Sequence, residues 1–387
     1  MQRVVIGLSG GVDSSVAAYL LKEQGYEVVG LFMINWHDTT GTLEGDCPWH
    51  DDRVFAELVA RRLDIPFHVV DLSEEYRRRV VDYMFAEYER GRTPNPDVLC
   101  NREIKFDVFL KEALRLGADF VATGHYCRRE CVAAADGTEH YRLLAGVDGN
   151  KDQSYFLCQL SQEQLSRALF PVGGLTKPEV RRIAEEQHLA TARRKDSQGI
   201  CFVGKVDLPV FLQQKLAAKR GNVHEIRADW PKYARTVAPD DLPALAEPWR
   251  YTVRDGKKIG EHNGAHFYTV GQRKGLGLGI EHPYYVCEKR PEDNTVVLGP
   301  NEALFTTELD AGDFNWIAYD PPPAELHVKA KIRYRQQEQP CTIEQTGPDT
   351  VRVEFDQPQR AITAGQAVVL YQGDVVLGGG IITRVEK

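Results

Sequence analysis

The sequence predicts an α/β protein: a mostly parallel sheet covered by helices, then a small central region, then a C-terminal antiparallel β-barrel. Three observations carry this. The first 125 residues alternate apolar strand-like runs with helical periodicity, a pattern that specifies a parallel sheet covered on both faces. Residues 223–257 change character, with Pro231, Pro239, Pro243 and Pro248 among acidic and small residues. From about Lys258 onward, short β-segments are punctuated by Gly, Pro and Asn, as in an antiparallel barrel.

The elements follow in order. Residues 3–8 are an apolar run leading into a Gly-rich turn. A helix comes next, with Val16, Ala17, Leu20 and Leu21 on one face, and it stops near Gly25, a residue suited to the position just past a helix end. Residues 27–33 form a second buried strand. In 51–63, Val54, Phe55, Leu58 and Val59 have the i, i+3, i+4 spacing of a helix face. Residues 67–72 are a third strand, 74–90 a long helix, 104–116 another helix ended by Gly117, and 119–125 a strand. Cys127 and Cys131 fall in a hairpin whose turn is Asp136-Gly137. Two short helices open with capping boxes, Ser161 to Gln164 and Thr176 to Glu179. A further helix is predicted over 207–221. The stretch 223–257 reads as a loop-like connecting excursion.

A chain of 387 residues has room for two or three domains at about 150 residues each. At 42% apolar and 27% charged residues it has the composition of a globular protein with a large core. No apolar run approaches the roughly 20 residues that span a bilayer. The N-terminus enters a strand directly, without signal-peptide features, so a cytoplasmic location and no membrane partner are expected. Eight thinly spread cysteines are not a secreted disulfide framework. Cys47 with His50, and Cys127 with Cys131, have spacings that could serve zinc, but no second half of a ligand set is evident. Cys158, Cys287 and Cys341 are read as packing residues.

The net charge of −8 argues against bulk nucleic-acid binding, because phosphate affinity comes from Lys and Arg. Any RNA contact must use a local basic surface. In the segment 327–335, period two puts Lys329, Lys331, Arg333 and Arg335 on one strand face and Val328, Ala330, Ile332 and Tyr334 on the other. Such a face can bind phosphates; it can equally be a solvated edge protected by charge.

The chemistry-bearing motifs begin with Ser9-Gly10-Gly11-Val12-Asp13-Ser14-Ser15, between the first strand and the first helix. Successive backbone N–H groups at a helix N-terminus form an anion cradle. The string lacks the Gly-Lys-Ser/Thr ending of a Walker loop and the glycine spacing of a dinucleotide fingerprint. It resembles the pyrophosphate loop of the N-type ATP pyrophosphatases, which cleave ATP between its α- and β-phosphates and attach AMP to a substrate oxygen. That resemblance implies a Rossmann-like ATP-pyrophosphatase domain. In it Gly7, Leu8, Ser9, Gly10, Gly11, Val12, Asp13 and Ser14 wrap the phosphates of ATP. Met33 lies by the adenine, and Gly124 of Thr123-Gly124-His125 completes the pocket. Mg²⁺ would be bridged to the pyrophosphate by Asp13.

Further motifs select among relatives. They are Thr93-Pro94-Asn95-Pro96-Asp97-Val98-Leu99-Cys100-Asn101, Lys151-Asp152-Gln153-Ser154-Tyr155-Phe156, and Lys195-Asp196-Ser197-Gln198-Gly199-Ile200-Cys201-Phe202. Then come His262-Asn263-Gly264, Thr269-Val270-Gly271-Gln272-Arg273, Arg333-Tyr334-Arg335-Gln336 and Gly365-Gln366-Ala367-Val368. With the first loop, this ordered set resembles the tRNA-specific 2-thiouridylase family across nearly the whole chain.

The resemblance implies ATP-dependent 2-thiolation of the wobble uridine, position 34, in the anticodon arm of tRNA. A catalytic domain would cover 1–205. A small central, tRNA-contacting domain would cover 206–290, with a Pro-rich insertion at 223–257, and a β-barrel would cover 291–387. Asn95, Pro96 and Asp97 would meet the target base, displayed on a loop between two helices. Cys100 would be the nucleophilic thiol and Cys201 the persulfide carrier, loaded by a cysteine desulfurase or sulfur-relay protein. His125, Lys151, Asp152, Gln153, Arg333, Tyr334 and Gln366 would touch tRNA. Two thiols also suit the chemistry: a uracil oxygen leaves readily once adenylated, a persulfide is a strong nucleophile, and a second thiol can take over its sulfur–sulfur bond. The chain departs from the family pattern in the length of 223–257 and in Cys127, where alanine is common.

Overall fold

The computed structural model describes residues 1–37, 49–133, 137–196, 208–234, 251–252, 255–276, 283–318 and 324–386. β1 (Arg3–Gly7), with Val4, Val5 and Ile6 fully buried, runs into α1 (Val12–Glu23), then β2 (Glu27–Ile34), α2 (Trp49–Leu63) and β3 (Phe67–Asp71). A continuous helix follows as α3 (Ser73–Tyr76), a π-helical stretch and α4 (Asp82–Glu89). A second begins with α5 (Pro96–Cys100), passes through another π-helical stretch and ends as α6 (Phe109–Arg115). Next come β4 (Phe120–Ala122), the hairpin β5 (Cys127–Ala133) and β6 (Glu139–Ala145), α7 (Gln162–Ser166), β7 (Ala168–Leu169) and α8 (Lys177–Glu186). The first sheet has the order β3-β2-β1-β4-β7, parallel throughout. β1 lies at its centre, so the turn after it opens at the middle of the sheet's carboxyl edge, where ligands of such sheets bind.

Both predicted capping boxes form, at Ser161 with Gln164 and at Thr176 with Glu179. The inner face of α2 differs from expectation. Ala56, Val59, Ala60 and Leu63 are buried, whereas Val54 and Leu58 are 55% and 43% exposed. Two alanines give the closer approach to the sheet, and volume follows the packed face rather than the most apolar spacing.

The central part holds α9 (Leu208–Leu212), β8 (Gly221–Glu225), β9 (Lys257–His262), β10 (Tyr285–Arg290) and β11 (Thr295–Gly299), with sheet order β10-β11-β8-β9. The helix predicted over 207–221 is therefore only five residues long, and the chain is already a strand at Gly221. The loop-like reading of 223–257 also needs correction. Residues 223–225 complete β8, and Ile226, Trp230 and Tyr251 are buried together with Cys287 and Val297. Pro231 follows Trp230 of this small aromatic core; residues 235–250 and 253–254, with Pro239, Pro243 and Pro248, lie outside the described residues.

The rest is β12 (Phe305–Trp316), β13 (Glu325–Lys331), β14 (Gln339–Gly347), β15 (Thr350–Arg360), β16 (Ala367–Gln372) and β17 (Val375–Glu386). Their order β12-β15-β14-β13-β16-β17 closes through a β12–β17 pairing into a six-stranded antiparallel barrel. The hairpin β5–β6 joins it, because β6 pairs with the start of β17 at Val375 and Val376. Cys341 lies in the barrel core, and Cys158 and Cys287 are likewise buried, as packing residues should be. No helix among the described residues is long and apolar enough to cross a membrane.

The basic stripe is corrected by the end of β13. Val328, Ala330 and Ile332 are buried as period two requires, but the strand stops at Lys331 and the chain turns. Lys331 lies over the Tyr371 ring and 3.5 Å from both Asp152 and Glu338. Arg333 donates inward to the Ala361 carbonyl at 2.7 Å. Lys329 and Arg335 are the stripe residues that stay exposed.

Candidate functional site

Between β1 and α1 the chain makes a turn that only glycine permits. Gly10 has φ +75°, and a Cβ there would sit 2.2 Å from the Asp52 carbonyl oxygen. Gly11 caps α1 in an extended conformation and makes no side-chain cap hydrogen bond, which leaves the first-turn N–H groups without that partner and suited to an anion. Ser14 is buried and folded onto the loop: its hydroxyl accepts from the Ser9 N–H at 3.2 Å and donates to the Gly11 carbonyl at 3.2 Å. Buried Leu8 and Val12 anchor either side. Gly124, just past β4, abuts α1 so closely that a Cβ would meet the Ser14 nitrogen at 2.6 Å. Met33, next to last in β2, lies beside Gly7; its methyl group is 3.8 Å from where a Gly7 Cβ would be. A backbone cradle that a single methyl group would fill, with N–H groups that no side chain caps, fits a nucleotide phosphate.

Around the cradle runs a chain of charges. Asp13 accepts from the Tyr126 hydroxyl at 2.7 Å and from the Lys177 ammonium at 2.7 and 2.9 Å. Lys177 also lies 2.8 Å from Asp196, which pairs with Lys151 at 2.7 Å and Arg181 at 2.9 Å. Burial raises the Asp196 carboxyl, but the hydrogen bonds from Lys151 and Lys177 outweigh it and hold the group at about 2. Arg194 donates to the Gly10 carbonyl at 2.8 Å and pairs with Asp52 at 2.8 Å. Sequence reasoning missed Lys177, Arg181 and Tyr126 as members of this site. One signal was available: Lys177 opens α8, where the helix dipole favours acidic residues, so a lysine there needs a nearby anion.

His125 faces inward. Its ring contacts the Thr123 hydroxyl at 2.7 Å and the Lys105 ammonium at 3.3 Å. Burial, aided by Lys105, drives its pKa well below the ordinary value, so it is a neutral imidazole. Asp152 accepts from the Gly146 and Ser154 N–H groups at 2.9 and 3.1 Å and from the Ser154 hydroxyl at 3.0 Å. The Gln153 side-chain oxygen accepts from the Tyr126 N–H at 3.1 Å.

The segment expected to be a displayed loop is instead a helix start. Asn95 caps α5, its side-chain oxygen accepting from Asp97 and Val98 at 3.2 and 3.4 Å, and Pro96 stands at the first helical position. Asparagine at the cap and proline next to it are both favoured there. Asn95, Pro96 and Asp97 are half-buried, while Cys100 is fully buried at 0% exposure. The Asn101 amide donates to Asp97 and Phe156 carbonyls at 3.0 and 3.3 Å. Tyr334 packs on Phe156, ring centroids 4.4 Å apart, and Tyr155 touches both. Gln366 donates to the Thr93 and Pro94 carbonyls at 2.8 and 3.2 Å. The structure thus brings Asn95, Asp97, Arg333, Tyr334 and Gln366 toward one place and Gly7–Ser14, Gly124, Lys151 and Asp196 toward another. Cys201, and with it the expected disulfide reach between Cys201 and Cys100, lies outside the described residues, as does Cys47.

Three family models match consecutive stretches: the tRNA methyl transferase HUP domain at residues 2–205, the tRNA methyl transferase PRC-barrel domain at 250–300, and the aminomethyltransferase beta-barrel domain at 306–382. Relatives named tRNA-specific 2-thiouridylase MnmA from Christiangramia forsetii and Flavobacterium johnsoniae are each 54% identical. Each alignment covers 99% of this chain and 100% of the relative. The protein of that name from Shouchella clausii is 46% identical, over 100% of this chain and 97% of its own. Similarity of this depth and extent shows that the chain belongs to the tRNA-specific 2-thiouridylase family.

Proposed function

We propose that this protein binds ATP in the Gly7–Ser14 cradle, adenylates the C2 oxygen of uridine 34 in tRNA, and replaces that oxygen with sulfur. The observation that carries this reading is the Lys177 bridge. One ammonium joins Asp13 of the cradle to Asp196, five positions before Cys201. Nucleotide and sulfur carrier would then be held by one charge network. Mg²⁺ at Asp13 would supply charge neutralisation for the departing pyrophosphate.

The chain's own groups divide the remaining work. The α1 N–H groups hold phosphate; Lys177, released from Asp13, is available to the same charge. The Asn95–Asp97 turn, beside Tyr155 and Tyr334, offers polar and aromatic surface to a base taken out of its stack. Adenylation makes the C2 oxygen leave as AMP. The terminal sulfur of a Cys201 persulfide attacks C2, giving Cys201–S–S–C2. The Cys100 thiolate then attacks the Cys201 sulfur, forming a Cys100–Cys201 disulfide and leaving the sulfur on C2. A cysteine desulfurase or relay protein loads Cys201, and cellular thiols reduce the disulfide, which suits the cytoplasm.

The test is mass spectrometry of Cys100→Ser and Cys201→Ser after loading with labelled sulfur, with tRNA and ATP present. Cys201→Ser should carry no label. Cys100→Ser should carry label on Cys201 and stall. Label on Cys100 and never on Cys201 would reverse the roles, and tRNA left unthiolated by the unsubstituted protein would refute the activity.

A further inference from the structure

Thr93 and Pro94, which lead into the Asn95 turn, are held by residues from the later part of the chain. Thr93 is buried, and each of its polar atoms is engaged. Its N–H donates to the Ala364 carbonyl at 2.9 Å, its carbonyl accepts from Gln366 at 2.8 Å, and its hydroxyl accepts from the Lys289 ammonium at 3.2 Å. Gly365 fits against the Thr93 backbone, where a Cβ would come within 2.9 Å. Gly91, at φ +75°, packs so tightly on Pro291 that its Cβ would overlap that ring. The central sheet and the barrel therefore grip one short segment from two sides.

Lys289 is the unusual member. Its ammonium donates to two neutral oxygens, Thr93 Oγ1 and the Tyr268 carbonyl at 2.8 Å. Part of its surface reaches solvent, yet burial pulls the ammonium down to about 7, with no carboxylate among the described residues offsetting it. His266 beside it is driven toward its neutral form by burial and by Lys289. A lysine held away from counter-charge destabilises a fold, and a methionine of similar size would serve packing better. What Lys289 supplies that methionine cannot is the pair of hydrogen bonds that ties Thr93 to the Tyr268 carbonyl.

We propose that Lys289 and Gln366 are positioning residues that hold Thr93 and Pro94, and through them fix the Asn95–Cys100 turn for the tRNA base. This rests on the thiolation reading above. Docking of tRNA on the central and C-terminal parts is thereby transmitted to the turn through two hydrogen-bonding side chains, without either touching the reacting atoms.

The test is a cycle of Lys289→Met, Thr93→Val and the double variant in the full chain. It reads thiolation kcat, the KM for ATP, melting temperature and hydrogen exchange at Val98–Asn101. Lys289→Met should lower kcat about tenfold, corresponding to about 1.4 kcal/mol. The KM for ATP should stay unchanged and the melting temperature equal or higher. Thr93→Val should lower kcat by a similar factor with the KM for ATP unchanged, its melting temperature falling because the Lys289 ammonium loses an acceptor. The double variant should be no worse in kcat than either single one, and exchange in the turn should speed up in all three. Unchanged exchange and kcat would overturn the proposal. So would additive losses, or a fall in melting temperature and ATP affinity together, which mark a general structural role. If the unsubstituted protein fails to thiolate tRNA, the activity falls, and exchange in the variants still decides whether Lys289 fixes the turn.

Discussion

Replacing Gly124 by alanine tests the cradle at its tightest point. The added methyl group would lie 2.6 Å from the Ser14 nitrogen and 2.8 Å from the Asp13 carbonyl carbon. Both are backbone atoms in the first turn of α1, so no flexible side chain can move aside. Ordinary contact begins near 3.4 Å, so α1 and β4 must part by about 0.8 Å. Overpacking of this kind costs about 1–3 kcal/mol, which in a domain of this size lowers the melting temperature by roughly 2–12 °C. The catalytic loss should be larger, because a shift near 1 Å in a positioning element can cost about a hundredfold. The assay is tRNA-dependent release of AMP and pyrophosphate, beside a thermal melt. Gly174→Ala is the control, since a Cβ there meets nothing within 4 Å. A Gly124→Ala protein that melts and releases pyrophosphate like the unsubstituted one would refute the packing argument and the cradle with it.

Two further outcomes are expected. Lys329→Ala with Arg335→Ala should reduce the slope of log affinity for tRNA against log salt by about two, with ATP binding untouched; a normal slope would leave the barrel without a role in phosphate contact. Asp196, held at about 2, has a folded pKa below its unfolded value of about 3.9. Its stabilisation is therefore present above about pH 4 and lost as pH falls toward 2. Because the side chain is 32% exposed, the effect should be on the order of 1 kcal/mol. Asp196→Asn should destabilise at pH 6 and not at pH 2 in denaturant titrations; equal destabilisation at both would refute the linkage.

Much of this architecture was legible because its signals are local. The apolar run of β1, the glycines after it and the one-sided α1 specify strand, turn and helix within some 20 residues. The capping boxes at Ser161 and Thr176 are four-residue patterns, and they form as written. The misses share a different origin. The loop expected to display Asn95, Pro96 and Asp97 is a helix start, because asparagine followed by proline is also a helix-opening pair. The 327–335 pattern assumed that the strand continued, and nothing in the pattern says that the chain turns after Lys331. Lys177 and Arg181 are one turn apart on α8, but their partners Asp13 and Asp196 come from other parts of the chain, so the partnership left no local spacing to read. Trp230 and Tyr251 were hidden by the prolines around them, since composition averages over a stretch while burial is decided residue by residue.

The shared edge between β6 and β17 has a consequence for how the molecule is made. β6 is complete at Ala145, but its partner begins at Val375. During synthesis at about 5–20 residues per second, the hairpin waits roughly 12–46 seconds for the strand that covers it. Until then its outer edge is an open template for another chain. Glu139 and Arg142, charged residues on β6, make such pairing unfavourable. The last strand to leave the ribosome both closes the barrel and ties it to the β5–β6 hairpin. A chain cut short before Val375 loses those two joints in one event.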